Sequence, residues 1–217
     1  MTELVIFDLD GTLIDSKQDL VDATNATRVH MGLAPLSSDL VASYIGNGAP
    51  LLIRRALGMD ATGEQVEEGL RFFLRHYSKH MLDQTVLYPG VREAMDELKS
   101  AGVPIAVLTN KPTVASVAIV DALGLGEHFF RVYGGDSFPA KKPDPAGIDG
   151  LIAQAKVARE ATIMVGDSDV DVKTARNARV RACGVTFGLR PETLVSEPPD
   201  FLVNDMRELS RYVLDQP

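Results

Sequence analysis

Asp8 and Asp10 close a short apolar run, Leu4–Phe7, and Gly11-Thr12 follows at once. A strand repeats its side-chain direction every second residue, so both carboxylates leave one face and repel each other unless a cation intervenes or one holds a proton. Three more polar groups stand in comparable places. Thr109-Asn110-Lys111 ends the apolar run 103–108, and Gly166-Asp167-Ser168 ends the run 163–165, with Asp171 one turn into the next helix. Lys141-Lys142-Pro143-Asp144-Pro145 lies in the loop after a further run, 130–133.

In an open parallel sheet, ligands bind beyond the carboxyl ends of the strands, so these four pieces are expected to converge on one crevice. Asp8, Asp10, Asp167 and Asp171 gathered there would be intolerable without a cation, and hard oxygen donors suit Mg²⁺. With a metal and Lys142 offsetting charge, an anionic phosphoryl group can enter, and Asp8 can attack phosphorus to give an aspartyl phosphate. Asp10 is placed to protonate the leaving alkoxide and later to deprotonate the hydrolytic water. Metal ligation keeps Asp8 ionised while Asp10 cycles its proton, so the two carboxylates divide the work. Thr109 and the Asn110 backbone are expected to bind phosphoryl oxygens beside Asp8 and Lys142.

The elements that must position these groups read as an alternation. Helical and strand patterns succeed one another from about residue 91 to the end, which predicts an α/β fold with a doubly wound parallel sheet. Residues 17–82 differ. Their apolar positions recur three and four apart, and glycine-rich breaks at 32–35, 46–48 and 58–63 divide them into roughly four helices. The expected organisation is therefore a core of residues 1–16 and 83–217 that carries an all-helical insertion, 17–82, directly after its first strand.

Composition narrows the partners. The 217 residues carry a formal charge of −8, with 45% hydrophobic residues. That is enough for an ordinary core, and a field that repels nucleic acid and anionic membranes. No apolar run reaches the roughly 20 residues of a membrane span, and the first acidic residues interrupt any leader pattern. With a single cysteine, Cys183, the expected compartment is the cytoplasm.

Asp8-Leu9-Asp10-Gly11-Thr12, Leu108-Thr109-Asn110, Lys142-Pro143-Asp144-Pro145 and Gly166-Asp167-Ser168 with Asp171 resemble the four ordered motifs of haloacid dehalogenase-like phosphohydrolases. The resemblance implies a Rossmann-like core with a small flap after strand one and a mobile helical cap inserted there. It also implies Mg²⁺ held by the side chains of Asp8 and Asp167 and the main-chain carbonyl of Asp10, with Asp171 supporting. Asp10 separates the chain from the dehalogenase branch, which lacks an acid/base carboxylate there. Within the superfamily, Ile45-Gly46-Asn47-Gly48-Ala49-Pro50, Arg55-Ala56-Leu57, Thr109-Asn110-Lys111-Pro112 and Gly134-Gly135-Asp136 are most similar to phosphoglycolate phosphatases. That likeness implies a small phosphorylated metabolite such as 2-phosphoglycolate as substrate, selected by Gly46, Asn47, Gly48 and Arg55 of the cap.

Other readings of the same residues stay open at this level. A phosphomutase acting on a sugar phosphate has the same four motifs, and a non-catalytic phospho-acceptor module would also need Asp8. Asp8 and Asp10 serve equally as turn residues, Thr109 as a strand-end hydroxyl and Ser168 as a helix cap. His76 and His80, one turn apart, lack the glutamate of a zincin pair and read as an exposed face. Cys183 reads as a small apolar residue beside a core strand.

Overall fold

The computed structural model describes residues 2–215; Met1 and residues 216–217, the outer ends of the expected core, lie outside the described residues. Six parallel strands form the main sheet: β1 (Leu4–Phe7), β4 (Ile105–Leu108), β5 (Arg131–Tyr133), β6 (Thr162–Gly166), β7 (Arg181–Val185) and β8 (Phe201–Val203). Their spatial order is β5-β4-β1-β6-β7-β8. Numbered along the chain, these six run 3-2-1-4-5-6, the doubly wound Rossmann order, whose switch point lies beside β1. The ends of β1, β4 and β6 are thus neighbours.

Period-two alternation builds the core on both sheet faces. Val5, Phe7, Ile105, Val107, Ile163 and Val165 pack on one side with helices α5 (Val91–Ser100), α6 (Thr113–Ala122) and α9 (Met206–Leu214). Leu4, Ile6, Ala106, Leu108 and Met164 pack on the other with α7 (Ala146–Ala155) and α8 (Asp169–Ala178). Because each central strand is buried on both faces, its sequence is a continuous apolar run. Cys183 lies in the first of these clusters.

Between β1 and α5 come α1 (Lys17–His30), α2 (Ser38–Ala42), α3 (Ala49–Leu57) and α4 (Gly63–His80). They share a separate hydrophobic cluster around Leu20, Val21, Ile53, Phe73 and Tyr77. Helix α4 starts at a capping box, in which Thr62 and Gln65 each satisfy the other's backbone N–H. Ser16 stands in the cap position of α1 but donates its hydroxyl to Asp10 instead, at 2.6 Å.

The chain enters and leaves this helical part through adjacent segments. A two-stranded antiparallel ribbon, β2 (Ile14–Asp15) with β3 (Val86–Leu87), pairs them. Buried Asp19 fastens the ribbon's neighbourhood by accepting from the backbone of Gln84 and Thr85 and from the Thr85 hydroxyl. None of the helices in the described residues is long and apolar enough to cross a membrane.

Candidate active site

Asp8 follows β1 directly, Thr109 follows β4 and Asp167 follows β6, so the sheet itself delivers them to one place. Asp8, Asp167 and Asp171 are buried, with carboxylate oxygens within 4.8 Å of one another. Lys142 reaches into this group from the loop before α7. Its Nζ lies 2.8 Å from Asp8 Oδ1, an ion contact, and donates to Asp171 Oδ1 at 2.6 Å. Its neighbour Lys141 is exposed.

Two further carboxylate oxygens are held individually. Asp167 Oδ2 accepts from the Leu189 and Arg190 amides at 2.7 and 3.0 Å. Asp171 Oδ2 accepts from the Ser168 hydroxyl and amide, so Ser168 serves Asp171 at the start of α8. Gly11 has φ +84°, and a Cβ there would stand 2.3 Å from Asp167 Oδ2. Any other residue would displace that carboxylate, which explains a glycine directly after Asp10.

Electrostatics agree with this crowding. Burial pushes the Asp8 carboxyl up to about 6, with Lys142 opposing the rise and Asp171 adding to it. Asp167 is pushed up to about 8 by burial, then by Asp171 and Asp8. For Lys142, burial works against the charge, but Asp171 and Asp8 outweigh it and raise the ammonium to about 12. Three buried carboxylates therefore face one ammonium. Asp8 Oδ1 has the Lys142 ammonium as its polar neighbour. A hard divalent cation fits this donor set of Asp8, Asp167 and Asp171.

A pH dependence follows from the two raised carboxyls. Without a divalent ion, the folded chain binds more protons than the unfolded chain above the ordinary aspartate value. The stability these groups contribute is full below about pH 4 and is lost as pH rises through about 6 and about 8. A bound divalent ion offsets that loss. The rise in melting temperature on adding Mg²⁺ to chelator-treated protein should therefore be larger at pH 8 than at pH 5.5. An equal rise at both values would contradict the assignment of these carboxylates.

Asp10 is turned away from the acidic group. Its two carboxylate oxygens accept from Lys111 Nζ at 2.8 and 3.1 Å, and Oδ1 also accepts from Ser16. Any part it has in holding a metal would thus fall to its main-chain carbonyl. Lys111 donates onward to the Tyr77 hydroxyl of α4 at 2.7 Å. Burial disfavours the Lys111 charge, yet Asp10 and Tyr77 more than compensate and hold it above the usual lysine value. Sequence reasoning missed both Lys111 and Tyr77 as site residues. The available signal was a lysine two residues beyond a polar strand end.

Above Asp8, Thr109 and Asn110 opens a cavity of about 420 Å³ between the sheet ends and the helical insertion. Asn110 Nδ2 donates to Gly46 O at 3.0 Å and to Lys142 O at 3.2 Å, joining three segments of the site. Arg190 also donates to Ile45 O. Of the four cap residues named from the sequence, Gly46 and Gly48 line the cavity, and Asn47 and Arg55 are not among its lining residues. The loop turns through positive φ at both glycines and meets Asn110 with its main chain; a Cβ on Gly48 would come 3.0 Å from Asn110 O. Arg55 lies off the stripe Ala49, Leu52, Ile53 and Ala56 by which α3 packs. Along α4, outside the cavity, His76 stacks on Phe72 and His80 on His76.

The sequence model of the haloacid dehalogenase-like hydrolases matches residues 5–185. A phosphoglycolate phosphatase of Pseudomonas savastanoi pv. phaseolicola is 39% identical, over 99% of this chain and 81% of its own. That of Agrobacterium fabrum is 38% identical, over 97% and 91%. A crystal structure described as a predicted phosphoglycolate phosphatase from Haemophilus somnus 129PT superposes with a TM-score of 0.93 at 31% identity, covering 99% of this chain and 98% of that one. With the Rossmann strand order and the acidic crevice at its switch point, these likenesses agree: the chain belongs to the haloacid dehalogenase-like hydrolase family.

Proposed function

We propose that the protein is a Mg²⁺-dependent phosphatase that hydrolyses small phosphomonoesters of the 2-phosphoglycolate kind through an aspartyl phosphate on Asp8. The observation that carries this reading is Lys142 Nζ wedged between Asp8 and Asp171, with Asp167 in the same buried group, and with Asp8 of that group lining a cavity. The substrate class rests on the relatives' activity.

The Asp8 carboxylate attacks phosphorus, and the bond from phosphorus to the ester oxygen breaks. Asp10 gives a proton to the departing alkoxide, then takes one from the water that attacks the aspartyl phosphate, so inorganic phosphate leaves and Asp8 is regenerated. Thr109, the Asn110 main chain and Lys142 hold the phosphoryl oxygens. A bound divalent ion supplies further positive charge to those oxygens. Residues 17–82 act as a cap over the core of 1–16 and 83–217. Their separate hydrophobic cluster supports this, as do the bonds from Asn110, Lys111 and Arg190 to Gly46, Tyr77 and Ile45. Closure excludes bulk water during transfer, and opening releases product. The absence of a membrane-crossing helix among the described residues and the unpaired, buried Cys183 support a cytoplasmic place.

Phosphate release from 2-phosphoglycolate and a panel of metabolite esters tests the reading. Release is expected with Mg²⁺, is lost with chelator and returns when Mg²⁺ is restored. Release that persists in chelator counts against it, as does isomerisation of glucose 1-phosphate without release.

A further inference from the structure

The geometry points to a second compartment of the cavity that takes the hydrocarbon part of a phosphomonoester, so that alkyl and aryl phosphates larger than 2-phosphoglycolate are substrates of this same site. The inference rests on the phosphatase reading above and adds to it the chemistry of the leaving group.

A volume of about 420 Å³ falls in the roughly 300–1,000 Å³ range of pockets that enclose whole drug-sized ligands. A two-carbon acid with its phosphoryl group leaves much of that space unfilled. Polar groups are confined mainly to the sheet-end side, at Asp8, Asp10, Thr109, Asn110 and Lys111. The cap side presents Leu20, Leu52, Phe73 and Leu74, and α6 closes the opposite side with Val114 and Ala118. Val114 is 81% exposed and Leu74 40%, so two apolar side chains stand in solvent at the mouth with a hydrocarbon surface behind them.

Charge makes the same division. Lys111 is the cation among the cavity-lining residues, and its three ammonium hydrogens are matched by two Asp10 oxygens and the Tyr77 hydroxyl. The stretch of wall formed by Leu20, Leu52, Phe73, Leu74, Val114 and Ala118 carries no charged side chain. An apolar leaving group gains there by displacing water from apolar surface.

The test compares kcat/KM for ethyl, butyl, hexyl and phenyl phosphate with that for 2-phosphoglycolate, in Mg²⁺. Burying a methylene is worth roughly threefold to fourfold, so hexyl phosphate should exceed ethyl phosphate by at least about tenfold, and phenyl phosphate should also exceed it. Val114→Asp, which places a charge at the mouth, should reduce the hexyl-to-ethyl ratio whatever happens to either rate alone. A ratio near one in the unaltered protein, with ethyl phosphate still hydrolysed, overturns the apolar compartment and leaves the phosphatase reading standing. Failure to hydrolyse every ester, 2-phosphoglycolate included, overturns both.

Discussion

Asp8→Asn should reduce kcat on any phosphomonoester by at least about 10⁴-fold while the protein stays folded. The carboxamide matches the carboxylate in shape, so the packing around β1 is undisturbed, but it is no nucleophile towards phosphorus. A loss of that size is a little over 5 kcal/mol of transition-state stabilisation, consistent with removal of the group that forms the covalent bond. The fold should tolerate the change because Asp8 is pushed up to about 6 by its burial. A neutral side chain therefore relieves crowding with Asp171 and Asp167 even as it gives up the ion contact with Lys142. Phosphate release and thermal melting, read on the same preparation, separate the two effects. Activity within tenfold of the unaltered protein would show that Asp8 is not the attacking group.

How much of this could be read beforehand depended on how local each cause was. The strands bearing Asp8, Thr109 and Asp167 are buried on both faces, so their apolar runs and the polar residues ending them stood out in the bare sequence. The four helices of 17–82 were legible from their spacing and their glycine breaks. By contrast, β2 and β3 contribute two residues each from segments far apart in sequence, too short for any periodicity to register. The same limit hid Lys111, whose meaning comes from Asp10 and from Tyr77, 101 and 34 residues away. Asn47 and Arg55 carry side chains suited to substrate binding, but the backbone direction at Gly46 and Gly48 and the packing stripe of α3 decide what reaches the cavity. Residue type announced the chemistry at strand ends, where position is fixed by the sheet. In the insertion, position depends on tertiary packing, and residue type alone does not place a side chain.

Lys142→Met should be the most damaging change that leaves all the acidic residues in place. Methionine keeps an unbranched stem without the charge, so the loss is mainly of charge and of two contacts, at 2.8 and 2.6 Å. The lysine side chain is only 2% exposed, and removing one partner of a buried ion group costs about 3–5 kcal/mol because the other charges stay behind unpaired. Its sign with pH is set by the carboxylates. The Lys142 charge, raised to about 12, contributes stability that is fully present below the ordinary lysine value and is lost only as pH climbs through about 12, so it is constant between pH 5 and 8. Over that same interval Asp8 and Asp167 take up protons as pH falls, and each proton removes part of the uncompensated charge. The destabilisation by Lys142→Met should therefore be larger at pH 8 than at pH 5, and Mg²⁺ should recover more of the melting temperature in the variant than in the unaltered protein. On the proposed mechanism, in which the ammonium also meets charge on the transferring phosphoryl group, catalysis should not recover with it; kcat should remain at least about 10³-fold down at saturating Mg²⁺. Arginine is no remedy, since its planar fork exceeds the space that a single ammonium occupies between the two carboxylates. Melting at both pH values and turnover with excess Mg²⁺ decide the matter: a variant whose melting point ignores pH, or whose kcat returns to within tenfold, would place Lys142 outside the charge balance that the whole site depends on.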